Sequence, residues 1–418
     1  MTVKIAVIIL SIIVLASGCV TAPQSQTESR TAPNTSSDVL SPMQTPEVQG
    51  IADANNLFTL ELYRRLPSGR NVFFSPFSIF IALAMTYEGA RGKTAEEMGN
   101  VLHLPSNASL RRDAFRTVLL EAENPTGLNL RIANALWVQK GFPIKEGYLN
   151  VIEKYYLGHV ENVDFKQNPR GAEKEINKWV EEQTNGRIKN LVSGLSPLTR
   201  LIITNAVYFK ANWSLRFNPN DTHNGTFRLS SGKAVLVPMM HRKGQFGYAE
   251  TGDLQVLEMP YSGDITHRFS MLIILPKNRL SAVEEKLTPQ FIKELMNSTK
   301  PQKVDVTIPK FRFETEYHLS RILQEMGMQE AFTDEADFSG ISEKPLAISD
   351  VIHKTFISVA ENGTEAAAAT AVILTAVSVS ETEEQYKVFK ADHPFIFMII
   401  DKENGMILFM GRLEDPRG

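Results

Sequence analysis

The sequence holds few residue patterns that could carry out catalysis. The motifs G-x-S-x-G, H-E-x-x-H and C-x-x-C are absent from its 418 residues. Gly92, Lys93 and Thr94 are similar to the end of a phosphate-binding loop, but that motif needs a further glycine where this chain has Tyr87. The sequence therefore predicts neither an enzyme nor a site for a metal or a cofactor.

The most informative chemistry lies in the run of residues 361–370, which are all small or polar. The four alanines at 366–369 bury little apolar surface, so this run cannot fill a core. No tight turn signal follows before His393. A connection of that length in a compact domain is usually functional or disordered.

Two interpretations of this run remain open. Thr364 followed by alanines is typical of a capped helix, because alanine has the highest helix propensity. Alternatively, the run is a loop that can become a strand. Alternation then places Thr364, Ala366 and further small residues on one face, so the segment could enter between two existing strands without displacing core side chains. Gly363 would supply a backbone joint at its start.

Composition and charge narrow the class of protein. The formal charge is −3, from 44 basic and 47 acidic side chains, so no general attraction to nucleic acid or anionic lipid is expected. An apolar content of 43% supports a packed globular body. Cys19 is the only cysteine, so no disulfide can form within the chain.

The N-terminus is typical of a signal peptide. Lys4 precedes an apolar run at 5–15, and small residues follow before Cys19. The apolar run is too short for an ordinary membrane-spanning helix. Residues 15–19 resemble a bacterial or archaeal lipobox, with Ala16 where leucine is commonest. We therefore expect residues 1–18 to be a signal peptide, Cys19 to be lipidated, and the protein to be extracellular and tethered to the cell surface; a cleaved signal and a secreted protein is the alternative.

The next segment has the composition of a flexible tether. Residues 20–50 are rich in Thr, Ser, Gln and Pro. With Cys19 this predicts a tether at 19–50 and one large domain at 51–418, because no second linker follows. We expect that domain to be a monomer.

Hydrophobic patterns predict helices early and strands late. Helices are expected at 52–65, 78–89 and 171–183. Strands are expected at 201–209, 269–275 and 304–308, with a buried hairpin formed by 395–400 and 406–410. Segregated helices and long antiparallel strands predict an α+β fold.

The chain resembles the serpins, the serine protease inhibitor superfamily. The matching segments follow the family's order from about residue 51 to 416: 71–79 (NVFFSPFSI), 82–85 (ALAM), 89–94 (GARGKT), 204–210 (TNAVYFK) with Trp213, 308–311 (IPKF), 326–328 (MGM), 336–340 (ADFSG), Glu361, 391–395 (ADHPF) and 409–411 (FMG). Each match is weak alone, but together they are specific.

The resemblance implies a fold and a mechanism. The fold would have three β-sheets, about nine helices and an exposed reactive loop at about 361–384. In the family, a serine protease cleaves this loop, and the loop then inserts into the central sheet as a new strand before the acyl-enzyme is hydrolysed. The hinge of the loop would comprise Glu361, Gly363, Thr364, Ala366, Ala367, Ala368, Ala369 and Thr370.

The family's usual hinge length places the cleaved bond between Val377 and Ser378, to within one or two residues. Residues 375–377 would suit a protease with a small or medium apolar primary pocket, similar to elastase or subtilisin. No Arg or Lys lies between Gly363 and Glu384, so a trypsin-like target is not expected.

The resemblance also implies a polar cluster beneath the place where the loop enters the sheet. Its members would be Ser75, Ser78, Asn205 and His353, and Trp213 would lie near the entering loop. Taken alone, each of these residues is equally typical of an ordinary core position.

Other interpretations remain. A non-inhibitory serpin, acting as a carrier or chaperone, would share the fold, but its hinge usually holds bulky or charged residues. A solute-binding lipoprotein would fit the leader, but no sign of two similar lobes is present. Arg111, Arg112 and Arg116 lie where some relatives bind polyanions, and a solvated helix face is the expectation for them.

Overall fold

The computed structural model describes residues 41–123, 128–263, 267–364 and 385–418. Within these residues it contains nine α-helices: α1 Pro46–Tyr63, α2 Pro76–Tyr87, α3 Gly92–Val101, α4 Ala108–Glu123, α5 Glu146–Tyr156, α6 Pro169–Gln183, α7 Leu280–Glu284, α8 Pro289–Ser298 and α9 Ser320–Met326. In this part of the chain no helix is both long enough and apolar enough to span a membrane.

The folded part starts before the predicted boundary at residue 51. A short 3-10 helix covers Pro42–Gln44, and α1 begins at Pro46 with Thr45 as its N-cap. Met43 and Val48 are buried. The predicted end of the tether at residue 50 is therefore wrong. Pro46 suits the first turn of α1 and Thr45 caps it, so these residues start a helix instead of extending the tether.

The strands form two hydrogen-bonded sheets. They are β1 Val72–Phe74, β2 Leu128–Gln139, β3 His159–Val163, β4 Leu201–Asn212, β5 His223–Arg228, β6 Ala234–Glu250, β7 Leu254–Pro260, β8 Phe269–Pro276, β9 Lys300–Pro309, β10 Phe311–His318, β11 Ile348–Ala360, β12 Gly363–Thr364, β13 Lys387–Lys390, β14 Phe395–Asp401 and β15 Met406–Leu413. The nine-stranded sheet runs β1-β15-β14-β8-β7-β6-β9-β13, with β5 on β6, and the six-stranded sheet runs β10-β11-β12-β4-β2-β3.

The predicted α+β class is confirmed. Two of the three expected sheets share the 17-residue strand β6, so hydrogen bonding joins them into the nine-stranded sheet. Each predicted helix and strand has a counterpart in the structure. The predicted helices 52–65 and 78–89 begin and end earlier than predicted, and the other predicted elements are longer by one to five residues. Strands β1–β3, β5–β7, β10, β11 and β13 were not predicted; β13, for example, has the short sequence Lys-Val-Phe-Lys and lies on a sheet edge.

Helix α2 and the β14–β15 hairpin form the centre of the core. All residues of α2 but Tyr87 are buried, which agrees with its continuous apolar sequence. Both hairpin strands are buried along their whole length. Helix α2 therefore holds the underside of β2 and β4, where the candidate site lies.

Candidate functional site

The candidate site lies where the two central strands of the six-stranded sheet separate. Strands β4 and β11 pair in parallel from Leu201 and Ile348 up to Val207 and Thr355. Beyond that point β12 lies between them and pairs antiparallel with both strands. The sheet is thus closed at one end and open at the other, and two hinge residues already occupy the opening.

Gly363 fits between the two strands because it has no side chain. It pairs with Ala360 on β11 and with Asn212 on β4. A Cβ atom at this position would lie 2.0 Å from the carbonyl oxygen of Ala211. Because that neighbour is backbone, only glycine allows β12 to approach β4 so closely.

Thr364 is anchored in the core. It is 2% exposed, and its Oγ1 lies 2.8 Å from the buried Tyr261 hydroxyl. Burial raises the pKa of Tyr261, so the phenol stays protonated. Trp213 stacks on Tyr261 with ring centroids 4.7 Å apart, and its Nε1 donates to the Ala360 carbonyl at 2.9 Å.

Trp213 therefore lies beside the hinge, as predicted, and also packs in the core. Its backbone N–H donates to the Asn362 carbonyl at 2.8 Å. The backbone N–H of Phe217 similarly donates to the Glu361 carbonyl at 2.9 Å. The segment after β4 thus holds the chain immediately before β12.

Glu361 is held by a half-buried ion pair. Its carboxylate is 2.9 Å from the Lys310 ammonium and accepts a hydrogen bond of 2.9 Å from the Thr222 hydroxyl. Burial acts to raise the pKa of Glu361, but the hydrogen bonds from Lys310 and Thr222 outweigh it and lower the pKa below its usual range. The carboxylate is therefore ionised, and it ties the end of β11 to the start of β10.

The predicted polar cluster lies beneath the closed part of the sheet. The structure brings Ser75, Ser78, Asn205 and His353 together, and all four are buried. His353 on β11 and Asn205 on β4 face each other in the parallel register, and His353 Nδ1 bonds Asn205 Oδ1. This hydrogen bond spans the two strands that would have to part for a longer insertion.

Ser78 of α2 and the N-cap of that helix, Ser75, hold the cluster from below. The Ser75 backbone N–H donates to His353 Nε2 at 3.1 Å, which leaves the ring proton on Nδ1 to donate to Asn205. Ser78 Oγ donates to Asn134 Oδ1 at 3.0 Å and contacts Asn205 Nδ2. Burial lowers the pKa of His353 to about 3, against a smaller opposing effect of Asn205, so the imidazole is neutral.

Asn134 on β2 is a member of the cluster that the sequence did not reveal. It bonds both Ser78 and Asn205. The sequence analysis predicted no strand over β2, and neither the partner of Asn134 nor its face could be known before the register of β2 on β4 was known.

Helix α4 corrects the expectation of a solvated arginine face. Arg111 is 4% exposed, and its Nη2 lies 3.0 Å from the buried carboxylate of Glu88. Arg112 binds the second oxygen of Glu88 at 2.6 Å, while Arg116 donates to the carbonyl of Lys154. Two of the three arginines are therefore occupied in holding α4 against the end of α2, because a buried carboxylate needs paired cations.

Several predicted site residues lie outside the described residues. They are Ala366, Ala367, Ala368, Ala369, Thr370, Val377, Ser378 and Cys19. Within the described residues, no group of three or more His, Cys, Asp or Glu side chains is arranged to hold a metal ion.

Comparisons with known proteins agree with this architecture. A family model described as serpin (serine protease inhibitor) matches residues 53–416. A serpin-like protein of Thermococcus kodakarensis is 56% identical over 93% of this chain and 90% of its own length. Intracellular coagulation inhibitor 2 of Tachypleus tridentatus is 38% identical over 88% of this chain and 91% of its own. The solved structure of human thyroxine-binding globulin in complex with thyroxine matches with a TM-score of 0.81 and 30% sequence identity. The match covers 89% of this chain and 100% of that chain.

The fold and these matches define a member of the serine protease inhibitor superfamily. The chain belongs to the serpin family.

Proposed function

We propose that this serpin is a suicide inhibitor of a serine protease with a small or medium apolar primary pocket. The observation that carries the proposal is the seating of Gly363 and Thr364 in an opening between β4 and β11. The two strands continue from this opening in a register that would accept more of the same segment.

The register is the same above and below the opening. Thr364 faces Ala211 on β4 and Val359 on β11. Further down, Asn205 pairs directly with His353, and the residue offset between the two strands there equals the offset at Thr364. A longer strand could therefore follow β12 with no shift of either neighbour. Only the direct β4–β11 pairing would have to open.

This register favours small residues at the positions that the hinge would take. Ala366 would face Phe209 and Ile357, and Ala368 would face Val207 and Thr355. All four of these side chains are already buried. Alanine adds little volume to a filled core, whereas a larger residue would overpack it.

Thr370 would arrive between Asn205 and His353. Its hydroxyl could accept the hydrogen bond from His353 Nδ1 that Asn205 now accepts. The cluster would thus exchange one satisfied arrangement for another instead of leaving a buried polar group unpaired.

Cleavage would release the segment for this movement. The protease serine attacks the carbonyl carbon of Val377, the Val377–Ser378 peptide bond breaks, and the Ser378 nitrogen takes up the proton from the serine hydroxyl. Ser378 becomes a new N-terminus, while the strands β13–β15 that follow it stay in the fold. Val377 is then held as an ester on the protease. From Thr364 to Val377 the 14 residues span roughly 46 Å when extended. Insertion before water cleaves the ester would therefore carry the protease a large distance along the sheet.

A denaturing gel tests the proposal. Incubation with elastase or subtilisin should give a covalent one-to-one band that survives boiling, and mass spectrometry of the adduct should place the ester at Val377. Thr364→Arg should be cleaved at the same bond without the band, because a charged side chain cannot enter the site beside Tyr261.

Thr333→Arg is the matched control, since Thr333 is exposed and distant from the hinge. It should form the covalent band as the unaltered protein does. Cleavage across a broad protease panel with no covalent band for the unaltered protein would reject inhibition and favour a non-inhibitory carrier or chaperone.

We further propose that the inhibitor acts at the cell surface, as a monomer tethered through lipid on Cys19. The lipobox-like residues 15–19 support this. Expression in an archaeal host should place the unaltered protein in the membrane fraction and Cys19→Ser in the medium. Recovery of both proteins in the soluble fraction would contradict the anchor without affecting the proposal for the loop.

A further inference from the structure

A cleft of about 750 Å³ lies apart from the hinge and the polar cluster. Five regions of the chain line it: the connection from α1 to β1, the end of β5 with its turn, the connection from β8 into α7, the connection from β13 to β14, and the end of β15. Its size is that of a site for a small organic molecule. None of its lining residues contributes to the site described above.

Positive charge predominates in this cleft. Among the described residues, its lysines and arginines number five and its carboxylates three. The basic residues are Arg228, Lys277, Arg279, Lys390 and Arg412, and the acidic residues are Glu284, Asp392 and Glu414.

The carboxylates of Glu284 and Asp392 already have partners. Glu284 lies 2.7 Å from Arg412 and accepts a hydrogen bond of 2.6 Å from the Tyr63 hydroxyl. Asp392 lies 3.2 Å from Lys390 and 2.9 Å from His393 Nδ1. The third carboxylate, Glu414, is 3.6 Å from Arg412 Nε. These pairs account for two of the five cations.

Two guanidinium groups of the cleft have no partner among the residues that the structure describes. The side chains of Arg228 and Arg279 are exposed and make no hydrogen bond or ion pair with any residue that the structure describes. Lys277 is directed to Glu250, at 2.7 Å. Arg228 and Arg279 belong to different segments, so both can contribute to one ligand in the cleft.

We propose that this cleft binds a small organic anion through Arg228 and Arg279. A guanidinium presents a planar fork of donors that matches phosphate and carboxylate oxygens, which identifies the ligand as a molecule with phosphate groups or several carboxylates. The carboxylates of the cleft do not oppose it strongly, because Glu284 and Asp392 are paired with cations of their own.

Such a ligand would join segments that are otherwise linked by few contacts. The backbone N–H of Arg228 donates to the Asp392 carbonyl at 2.8 Å. Asp392 follows β13, the strand that carries the chain away from the reactive loop. An anion held by Arg228 and Arg279 would therefore fasten the exit side of the loop to β5 and to the start of α7.

Isothermal titration calorimetry with tripolyphosphate and with citrate, at constant ionic strength, tests the proposal on the full chain. At least one probe should bind the unaltered protein with one-to-one stoichiometry, and the probe that binds distinguishes phosphate from carboxylate recognition. The double variant Arg228→Gln, Arg279→Gln should bind that probe at least about tenfold more weakly, because it loses the charge-assisted contacts of both guanidinium groups.

The matched control is Arg170→Gln, Arg321→Gln, which removes two exposed arginines from α6 and α9 and should leave the affinity unchanged. Since all four arginines are exposed, both double variants should keep the melting temperature of the unaltered protein without ligand. Replacing Arg228 and Arg279 by lysine keeps the charge and should weaken binding less than glutamine does. The absence of binding to both probes, or equal affinity in the Arg228→Gln, Arg279→Gln variant, would overturn the proposal.

Discussion

The space available and the polarity of the surroundings determine which residue type fits at each position of the opening between β4 and β11. Gly363 lies against the backbone of β4, where no side chain fits. Thr364 fills the next position and satisfies its hydroxyl with Tyr261. His353 and Asn205 close the sheet below with a hydrogen bond in which both groups are neutral. Each of these residues is compatible with the sheet as the structure shows it. None of them has a side chain that would prevent a strand of small residues from entering between β4 and β11.

Gly363→Val should unseat the start of the loop. The Cβ of valine would meet the Ala211 carbonyl, so the backbone of β4 would have to move. This movement should lower the free energy of unfolding by about 2–4 kcal/mol. We expect a lower free energy of unfolding by guanidinium titration and conversion of most molecules from covalent inhibitor to cleaved substrate. Gly69→Val is the control, because a side chain there meets no atom within 4 Å although the φ of 71° also strains a substitution. Equal inhibition by Gly363→Val and the unaltered protein would contradict this account of Gly363.

His353 should make the native protein sensitive to acid. Its pKa is about 3 in the folded chain, well below the ordinary value of 6.5. Between these pH values the unfolded chain binds a proton that the folded chain does not. Stability should therefore fall by up to about 1.4 kcal/mol per pH unit as the pH decreases from about 6.5 toward 3. His353→Gln should remove this part of the slope in guanidinium titrations at pH 7, 6, 5 and 4, and an unchanged slope would contradict the assignment.

At the scale of elements, the decisive feature is the pair β4 and β11. They are neighbours over most of their length and are separated only by the two residues of β12. Tyr261, Trp213 and the Glu361–Lys310 pair hold the open end. The proposed inhibition requires the closed end to open as well.

A disulfide across the closed end should abolish inhibition without preventing cleavage. Ala206 and Lys354 pair directly in the parallel register, so cysteines at both positions are close enough for a disulfide. In a Cys19→Ser background, the oxidised double variant should be cut as a substrate with no covalent complex. Reduction of the same protein should restore the complex and serves as its own control. Covalent inhibition by the fully oxidised protein would show that β4 and β11 need not separate.

Elements were easier to predict from the sequence than their relations. The apolar runs of α2, β8 and the β14–β15 hairpin showed where these elements lie, because an element that is buried on all sides has a continuous run of apolar residues. The start of α1 was misplaced, since Thr45 and Pro46 are as common in linkers as at helix starts. The role of Asn134 depends on the pairing of β2 with β4, and pairing between distant strands leaves no local pattern.

At the scale of the whole molecule, the proposal is a sheet in which β4 and β11 would part to admit one more strand. The small-residue run after Gly363 has a sequence alternation that would suit that position, and the 14 residues from Thr364 to Val377 would be long enough to fill it. The uncleaved form would then be kinetically trapped, because the same residues would gain hydrogen bonds inside the sheet. Insertion therefore requires that the cleaved chain be more stable than the intact chain.

Comparison of the unfolding of intact and cleaved protein tests this difference directly. The chain would be cut in the loop by a protease that it does not inhibit, added in substoichiometric amounts, and both forms would be titrated with guanidinium and melted. About 12 newly paired residues should add on the order of 10 kcal/mol and raise the melting temperature by about 10 °C or more. Thr364→Arg, cut at the same bond, should show a much smaller gain. Equal resistance of the intact and cleaved forms to guanidinium and heat would contradict the insertion on which the proposed inhibition rests.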